Sequence, residues 1–161
     1  MATPHFTRTT SKITALTALT LALGACVSMP PSTTELESRR KEVVQHELVF
    51  AKTMADRNFA GFASFLSNES VFFDGDVPLP GPTAIKHSWQ PLYQSAKAPF
   101  SWEPKTVVVL ASGDLALSSG PVRNADGKVI AQFNSIWRRV GAGGWKVVFD
   151  KGCELCPCAQ R

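Results

Sequence analysis

The chain has 161 residues, the length of one domain, with 17 Lys and Arg against 13 Asp and Glu. Its formal net charge is +4, and its one run of three positive residues is Arg39-Arg40-Lys41 on the first predicted helix. Such a run is typical of a solvated helix face, although beside a membrane it can also contact anionic headgroups. This charge pattern argues against a nucleic-acid partner.

The first 25 residues have the pattern of a secretory signal peptide. Arg8 and Lys12 precede an apolar core that is too short for the roughly 20 residues of a transmembrane helix. Leu23-Gly24-Ala25-Cys26 resembles the lipobox of bacterial lipoproteins, in which the cysteine becomes the first mature residue and carries the lipid. The alternative is an ordinary signal peptide cleaved beside a chance cysteine.

Lipidation of Cys26 would make residues 1–25 a removed signal peptide, residues 26–34 a lipidated tether, and the membrane a partner. Val27 is not the aspartate that retains lipoproteins at the inner membrane of many Gram-negative bacteria. We therefore expect a cell-envelope protein, at the outer membrane facing the periplasm if the source is Gram-negative. Loss of Arg8 and Lys12 would lower the net charge from +4 to +2, because this segment contains no acidic residue.

The following segment predicts two helices. Thr34 and Glu37 fit a capping box at the start of the first helix. Its predicted apolar face recurs at helical spacing in Val44, Leu48, Ala51 and Ala55. Residues 56–58 end this helix, and the phenylalanines of residues 59–66 mark a second, short one.

The rest of the chain is predicted to be mainly β-structure. Residues 71–73 read as a short strand, residues 74–81 as turns, and Pro82 suits the first turn of a third helix. Strands are predicted over residues 105–111, 115–122, 129–140 and 145–150. Helices followed by a strand meander predict an α+β domain with the helices packed on one sheet face.

Three segments, residues 112–120, 135–139 and 144–150, carry a resemblance to a known superfamily. With the order of elements, they resemble the nuclear transport factor 2-like (SnoaL-like, ketosteroid-isomerase-like) superfamily, and in particular its bacterial members of unknown function. The resemblance covers about residues 35–152 and leaves residues 153–161 as a Cys-rich tail. It implies a cone-shaped roll of strongly bent, mainly antiparallel sheet, with the helices on its concave face and a pocket between them. Members include enzymes, ligand binders and scaffolds, so the fold does not fix the function.

Ketosteroid isomerase gives a direct test of catalysis. Its carboxylate base would fall within one position of Asp74, but its tyrosine falls near Phe50 and its protonated acid near Ser135. Phe50 cannot donate a hydrogen bond, so the chain lacks this acid–base set. Asp74 and Asp150 are the candidate pocket carboxylates, and the alternative is that both are exposed at a turn and a strand end.

The resemblance also assigns the two faces of the last strand. Strict alternation places Lys146, Val148 and Asp150 towards the pocket, and Trp145 and Phe149 outside, where superfamily members commonly dimerise. The predicted ligand-binding residues are Phe50, Met54, Phe73, Trp89, Ser135, Trp137 and Val148. His46 and His87 are read as helix-surface residues, and no cofactor or metal site is predicted.

The tail contains three cysteines, Cys153, Cys156 and Cys158. Outside the cytoplasm a disulfide is the default, from Cys153 to either Cys156 or Cys158, which leaves one thiol for an intermolecular bond. A thiolate metal site and a redox pair are the alternatives.

Together these patterns predict a lipid-anchored envelope protein whose pocket binds a small apolar molecule or a protein partner. The alternatives are an isomerase, dehydratase or hydrolase that uses Asp74 or Asp150, and a homodimeric scaffold that pairs through the outer sheet face.

Overall fold

The computed structural model describes residues 29–141 and 144–154. The predicted signal peptide, Cys26, Cys156 and Cys158 lie outside the described residues. In the described part, two helices are followed by two strands, a third helix and six further strands. None of the helices described there is both long enough and apolar enough to cross a membrane.

The helices are α1 (Thr33–Ala55), α2 (Phe59–Ser64) and α3 (Gly81–Trp89), and a 3-10 turn follows at Gln90–Tyr93. The capping box of α1 uses Ser32 and Glu35, so the predicted pair Thr34 and Glu37 was wrong. Both pairs fit the same four-residue pattern. The extended backbone of Ser32 (ψ 163°) allows its hydroxyl to accept from the Glu35 amide, which decides between them.

The buried face of α1 consists of Val43, Glu47, Phe50, Thr53 and Met54. The predicted face of Val44, Leu48, Ala51 and Ala55 is therefore displaced by one residue, and Leu48 is 43% exposed. Phe50 and Met54 bury more apolar area than Ala51 and Ala55, so the larger side chains take the core.

The break between α1 and α2 centres on Arg57 and lies at residues 56–58, as predicted. Arg57 has a left-handed backbone (φ 57°), which a non-glycine residue adopts at an energetic cost. Its guanidinium donates to the carbonyl oxygens of Met54 (2.9 Å), Ser95 (2.9 Å) and Leu92. It also lies 5.2 Å from the centre of the Tyr93 ring. These contacts fix the turn and attach it to the segment after α3.

The strands form one mixed, mostly antiparallel sheet. They are β1 (Leu66–Asp74), β2 (Val77–Pro80), β3 (Phe100–Trp102), β4 (Thr106–Val109), β5 (Leu115–Asn124), β6 (Val129–Val140), β7 (Gly144–Asp150) and β8 (Cys153–Glu154). The order is β2-β1-β7-β6-β5-β3, with β1 and β7 parallel, β4 beside β5 and β8 beside β6. The sheet curls around the helices. The predicted α+β cone-shaped roll is confirmed.

Two segments differ from the predicted elements. Residues 77–80 were predicted as turn, but they form β2, which pairs antiparallel with β1. β2 lies at the sheet edge, where Pro78 and Pro80 need not donate to a further strand. β8 extends the sheet into the predicted tail, because Cys153 and Glu154 pair with Gln132 and Ala131.

A β-bulge interrupts the alternation of β7. Ile136 pairs with Phe149, but Trp137 pairs with Val147, so Val148 is an additional residue in β7. Trp145 and Val147 consequently join the core, and Asp150 faces the same concave side. Trp145 is only 2% exposed, so its predicted outward position was wrong. Phe149 is 48% exposed, on the outer face as predicted.

Candidate functional site

A cavity of about 190 Å³ lies between the helices and the concave face of the sheet. Six aromatic side chains line it: Phe50, Phe73, Trp89, Phe100, Trp102 and Phe133. The remaining lining residues are Val122, Ala131, Gly152 and Asp150. The cavity is therefore an aromatic enclosure with a single ionisable group in its wall.

A larger groove of about 690 Å³ lies along the β3–β4 connection, β5 and β6. Its lining mixes charged and polar side chains, including Glu103, Lys105 and Arg123. Glu103 and Arg123 are 3.8 Å apart and more than a third exposed, which is an ordinary surface ion pair. The smaller aromatic cavity, which holds a desolvated carboxyl, is thus the better candidate site.

Asp150 lies at the end of β7, directly opposite Ser135 of β6 and Phe72 of β1. The Ser135 hydroxyl donates to Asp150 Oδ2 over 2.6 Å. Burial raises the pKa of Asp150 to about 7; the Ser135 hydrogen bond opposes this rise and the nearby Glu47 carboxyl adds to it. A carboxyl with such a pKa exchanges its proton near neutral pH.

Glu47 is a second buried carboxyl and belongs to α1. Its side chain is 0% exposed, and its two oxygens accept separate indole hydrogen bonds. Trp102 Nε1 donates to Oε1 over 2.8 Å, and Trp137 Nε1 donates to Oε2 over 2.7 Å. Burial raises the pKa of Glu47, while the hydrogen bonds from Trp102 and Trp137 act against this rise. Since the Trp102 ring lines the cavity, Glu47 lies directly behind the cavity wall.

The structure brings part of the predicted binding set to the cavity. Phe50, Phe73 and Trp89 line it, as does Asp150. Ser135 is buried and contacts the site through its hydrogen bond to Asp150.

The other predicted residues lie elsewhere. Met54 and Trp137 are fully buried in the core, where Trp137 supports Glu47. Val148 is buried at the bulge and does not line the cavity. Asp74 is exposed at the end of β1, in register with Val77, and likewise does not line the cavity. Of the two candidate pocket carboxylates, only Asp150 therefore lines the cavity.

One of the two histidines differs from the predicted helix-surface position. His46 is partly buried, not a solvated residue: its ring lies edge-on to Trp137 (6.2 Å) and Phe65 (6.4 Å), and its Nδ1 is 2.8 Å from the Glu42 carbonyl oxygen. His87 is exposed. Across residues 29–141 and 144–154, no group of three or more His, Cys, Asp or Glu has a metal-binding arrangement.

Sequence reasoning missed Glu47, Phe100, Trp102 and Phe133 as site residues. For Glu47 a signal existed, because Val43, Glu47, Phe50 and Met54 are spaced by four, three and four residues along one helix face. A glutamate within that apolar stripe indicates a buried carboxyl. For β3, which carries Phe100 and Trp102, three residues are too few to show a period.

The outer sheet face carries an apolar row. Val108, Leu117, Ile136 and Phe149 are consecutive register partners across β4, β5, β6 and β7. Val108 and Phe149 are each about half exposed, and Leu117 is more than a third exposed. Cys153 is exposed near this face, with its Sγ 3.6 Å from the Gln132 carbonyl oxygen, and its predicted pairing with Cys156 or Cys158 stays a prediction.

No protein-family model matches the sequence, and a comparison with curated proteins finds no match. Solved structures do match. A nuclear transport factor 2-like protein of unknown function from Pseudomonas putida is 22% identical, with a TM-score of 0.61 over 78% of this chain and 93% of that one.

Two further matches have names that suggest an activity. A candidate dehydratase of the same family from Streptomyces avermitilis is 14% identical, with a TM-score of 0.61 over 74% of this chain and 98% of its own. A candidate ketosteroid isomerase from Parabacteroides distasonis is 16% identical, with a TM-score of 0.59 over 80% and 97%. At such identities the likeness concerns the fold.

Proposed function

Because the chain has the nuclear transport factor 2-like fold, we propose that it uses the cavity of this fold to bind a small molecule. The proposed ligand is largely apolar and carries one polar group that meets Asp150. The observation that supports this proposal is the aromatic cavity with one desolvated carboxyl in its wall. Apolar walls with a few placed polar groups are typical of small-molecule sites.

The size of the cavity limits the ligand. At about 190 Å³, the cavity is smaller than the roughly 300 Å³ at the lower end of drug-sized sites. The ligand would therefore be a compact molecule. Its affinity would come from apolar burial against the rings, at about 25 cal/mol per Å² before the cost of association.

Filling the cavity tests this proposal. Ala131 lines the cavity, and Ala131→Leu would occupy part of its volume, whereas Ala125→Leu in the exposed β5–β6 turn is the matched control. Native mass spectrometry of gently purified protein should show a retained small molecule in the wild type and in Ala125→Leu, and less of it in Ala131→Leu. Equal retention in all three proteins would contradict binding in this cavity.

A second candidate function is acid–base catalysis of isomerase or dehydratase type. It is favoured by the pKa of Asp150, which lies near 7, where a group can act as both acid and base. A direct assay is exchange of the α-protons of cyclohexanone with D2O, followed by NMR. We expect Asp150→Asn to abolish any catalysed exchange and Asp74→Asn to leave it unchanged, because Asp74 is exposed outside the cavity. Exchange that survives Asp150→Asn would exclude Asp150 as the base.

We also propose that the domain is attached to the membrane through lipid on Cys26. The support is the lipobox pattern at residues 23–26, followed by only six residues before α1 begins at Thr33. Cells fed an alkyne-labelled fatty acid should incorporate label into the wild type but not into Cys26→Ala, and the wild type should fractionate with the outer membrane of a Gram-negative host. Label in Cys26→Ala would contradict the proposal.

A scaffold role is the remaining candidate, with a second copy of the chain as partner. It is supported by the apolar row on the outer sheet face, where Phe149 is 48% exposed. Sedimentation of residues 27–161 should show a dimer that Phe149→Ser weakens. A dimer that disappears only with reductant would instead assign the contact to the tail cysteines.

A further inference from the structure

We propose that the cavity binds an organic ammonium ion, with the cationic head between the aromatic rings and Asp150 and the hydrocarbon part against the remaining wall. This inference rests on the proposed ligand-binding function and names the ligand class. Small amines and quaternary ammonium compounds of compact size belong to this class.

The first support is the aromatic enclosure. The rings stand at different inclinations: Trp89 and Phe100 are 6.1 Å apart at 88°, and Phe50 and Trp102 are 5.4 Å apart at 74°. Phe100 and Trp102 are 5.9 Å apart at 41°. Because the rings around the cavity are inclined to one another, we expect a bound cation to meet the face of at least one of them. Their faces attract a cation within about 6 Å of the ring centre, and such sites recognise quaternary ammonium groups.

The second support is that Asp150 has no cationic partner among the described residues. Its described hydrogen bond comes from the neutral Ser135, and none of the ion pairs within residues 29–141 and 144–154 includes it. A desolvated carboxyl is stabilised by taking up a proton or by pairing with a cation. An ammonium ligand would supply that cation.

Lys151 follows Asp150 in the chain and could compete for this role, but its described contacts are with other residues. Its ammonium lies 3.0 Å from Asp76 Oδ1 and 5.0 Å from the centre of the Phe73 ring. Lys151 is exposed, and the ion pair described for its ammonium is with Asp76 and not with Asp150. The same ring that lines the cavity thus already makes a cation–π contact.

The third support is Glu47 behind the wall. Its carboxyl accepts the N–H of Trp102, and an acceptor at this position polarises the indole and strengthens the negative potential of its face. Electrostatic repulsion from the Glu47 carboxyl also disfavours the ionised form of Asp150. A cation beside Asp150 would relieve this repulsion, whereas an anionic ligand would add to it.

A matched pair of probes tests the inference. Choline and 3,3-dimethylbutan-1-ol have nearly the same shape, but only choline is charged. Titration calorimetry on the full chain in detergent at about pH 8.5 should show choline binding about tenfold more tightly. Asp150→Asn should abolish this preference. Asp126→Asn, which removes a carboxylate from the exposed β5–β6 turn, should retain it.

The pH dependence gives an independent readout. Choline should bind more weakly at about pH 5.5 than at pH 8.5, because it then competes with the proton on Asp150, and binding near pH 6 should release a proton to the buffer. The groups that face Asp150 or its surroundings are Glu47, Ser135 and Lys151; His46 lies further back, against Trp137. His46→Gln should leave the pH dependence in place.

The outcomes separate this inference from the proposed function. Equal or tighter binding of the alcohol would overturn the ammonium inference and leave an apolar binding site. A choline preference that survives Asp150→Asn would also overturn it. If neither probe binds, the ammonium inference fails, and the comparison of Ala131→Leu with Ala125→Leu decides the proposed function separately.

Discussion

Replacement of Asp150 by Asn should change how the stability of the fold depends on pH. Asp150 has a pKa of about 7 in the folded protein against an ordinary value of 3.8, so the folded state favours its protonated form. Between about pH 4 and pH 7 the folded state binds more protons here than the unfolded state. The contribution of Asp150 to stability therefore falls as pH rises through this window, and above pH 7 the loss is complete.

The magnitude follows from the two pKa values. At about 1.36 kcal/mol per pKa unit, a rise from 3.8 to about 7 corresponds to about 4 kcal/mol. The side chain is only half-buried, so solvent screening reduces the effect, and we expect about 2–3 kcal/mol. Asn has the shape of the neutral acid, and its Oδ1 can accept the Ser135 hydrogen bond. Asp150→Asn should therefore match the wild type at about pH 4 and exceed its stability by about 2–3 kcal/mol at about pH 8.

Urea unfolding of residues 27–161, followed by tryptophan fluorescence at half-unit steps from about pH 4 to pH 8.5, measures this difference. Groups remote from Asp150 titrate equally in both proteins, so the difference between variants reports Asp150 together with its electrostatic coupling to Glu47. Asp126→Asn makes the same change in net charge at an exposed turn and should run parallel to the wild type. An Asp150→Asn curve that also runs parallel would refute the account of a desolvated carboxyl.

Substitutions at three further positions test the frame of the fold, each measured as the change in free energy of unfolding. Glu47→Ala should destabilise by about 2–4 kcal/mol, because two buried indole N–H groups lose their acceptor, and Glu47→Gln should destabilise by less. Gly120→Ala should destabilise by about 3 kcal/mol or more, because its Cβ would overlap the backbone oxygen of Glu103. Arg57→Gly relieves about 1–2 kcal/mol of left-handed strain but loses three hydrogen bonds of about 1 kcal/mol each, so it should destabilise. If Arg57→Gly were instead more stable than the wild type, relief of the left-handed backbone strain would outweigh the lost hydrogen bonds.

The long elements of this fold can be predicted from the sequence because each repeats a pattern over many residues. α1 has 23 residues and β6 has 12, enough for helical and strand periods to be recognised. The helix start was misplaced because Ser32-Glu35 and Thr34-Glu37 fit one pattern, and only the backbone geometry separates them. β2 was missed because its prolines suggest a turn unless the strand is known to lie at an edge.

The site was only partly predictable, since its chemistry depends on contacts between distant segments. Asp150 could be placed by resemblance, and the apolar spacing of α1 indicates that Glu47 is buried. The partners of Glu47 could not be predicted, because Trp102 and Trp137 lie 55 and 90 residues further along the chain. Asp74 ends a strand as Asp150 does, and only the sheet order shows that one is at an exposed turn and the other in the cavity.

The bulge at Val148 reverses which residues of β7 face the inside of the sheet. On the amino-terminal side of the bulge, the inward residues are Trp145 and Val147, which pack in the core. On its carboxy-terminal side, Asp150 faces inward and Phe149 faces outward. Without this shift, Phe149 would enter the cavity and Asp150 would leave it. The chemical character of the cavity is thus set by the register of one strand as much as by residue identity. Loss of the additional residue in β7 would therefore replace the carboxyl of the cavity wall by a phenyl ring.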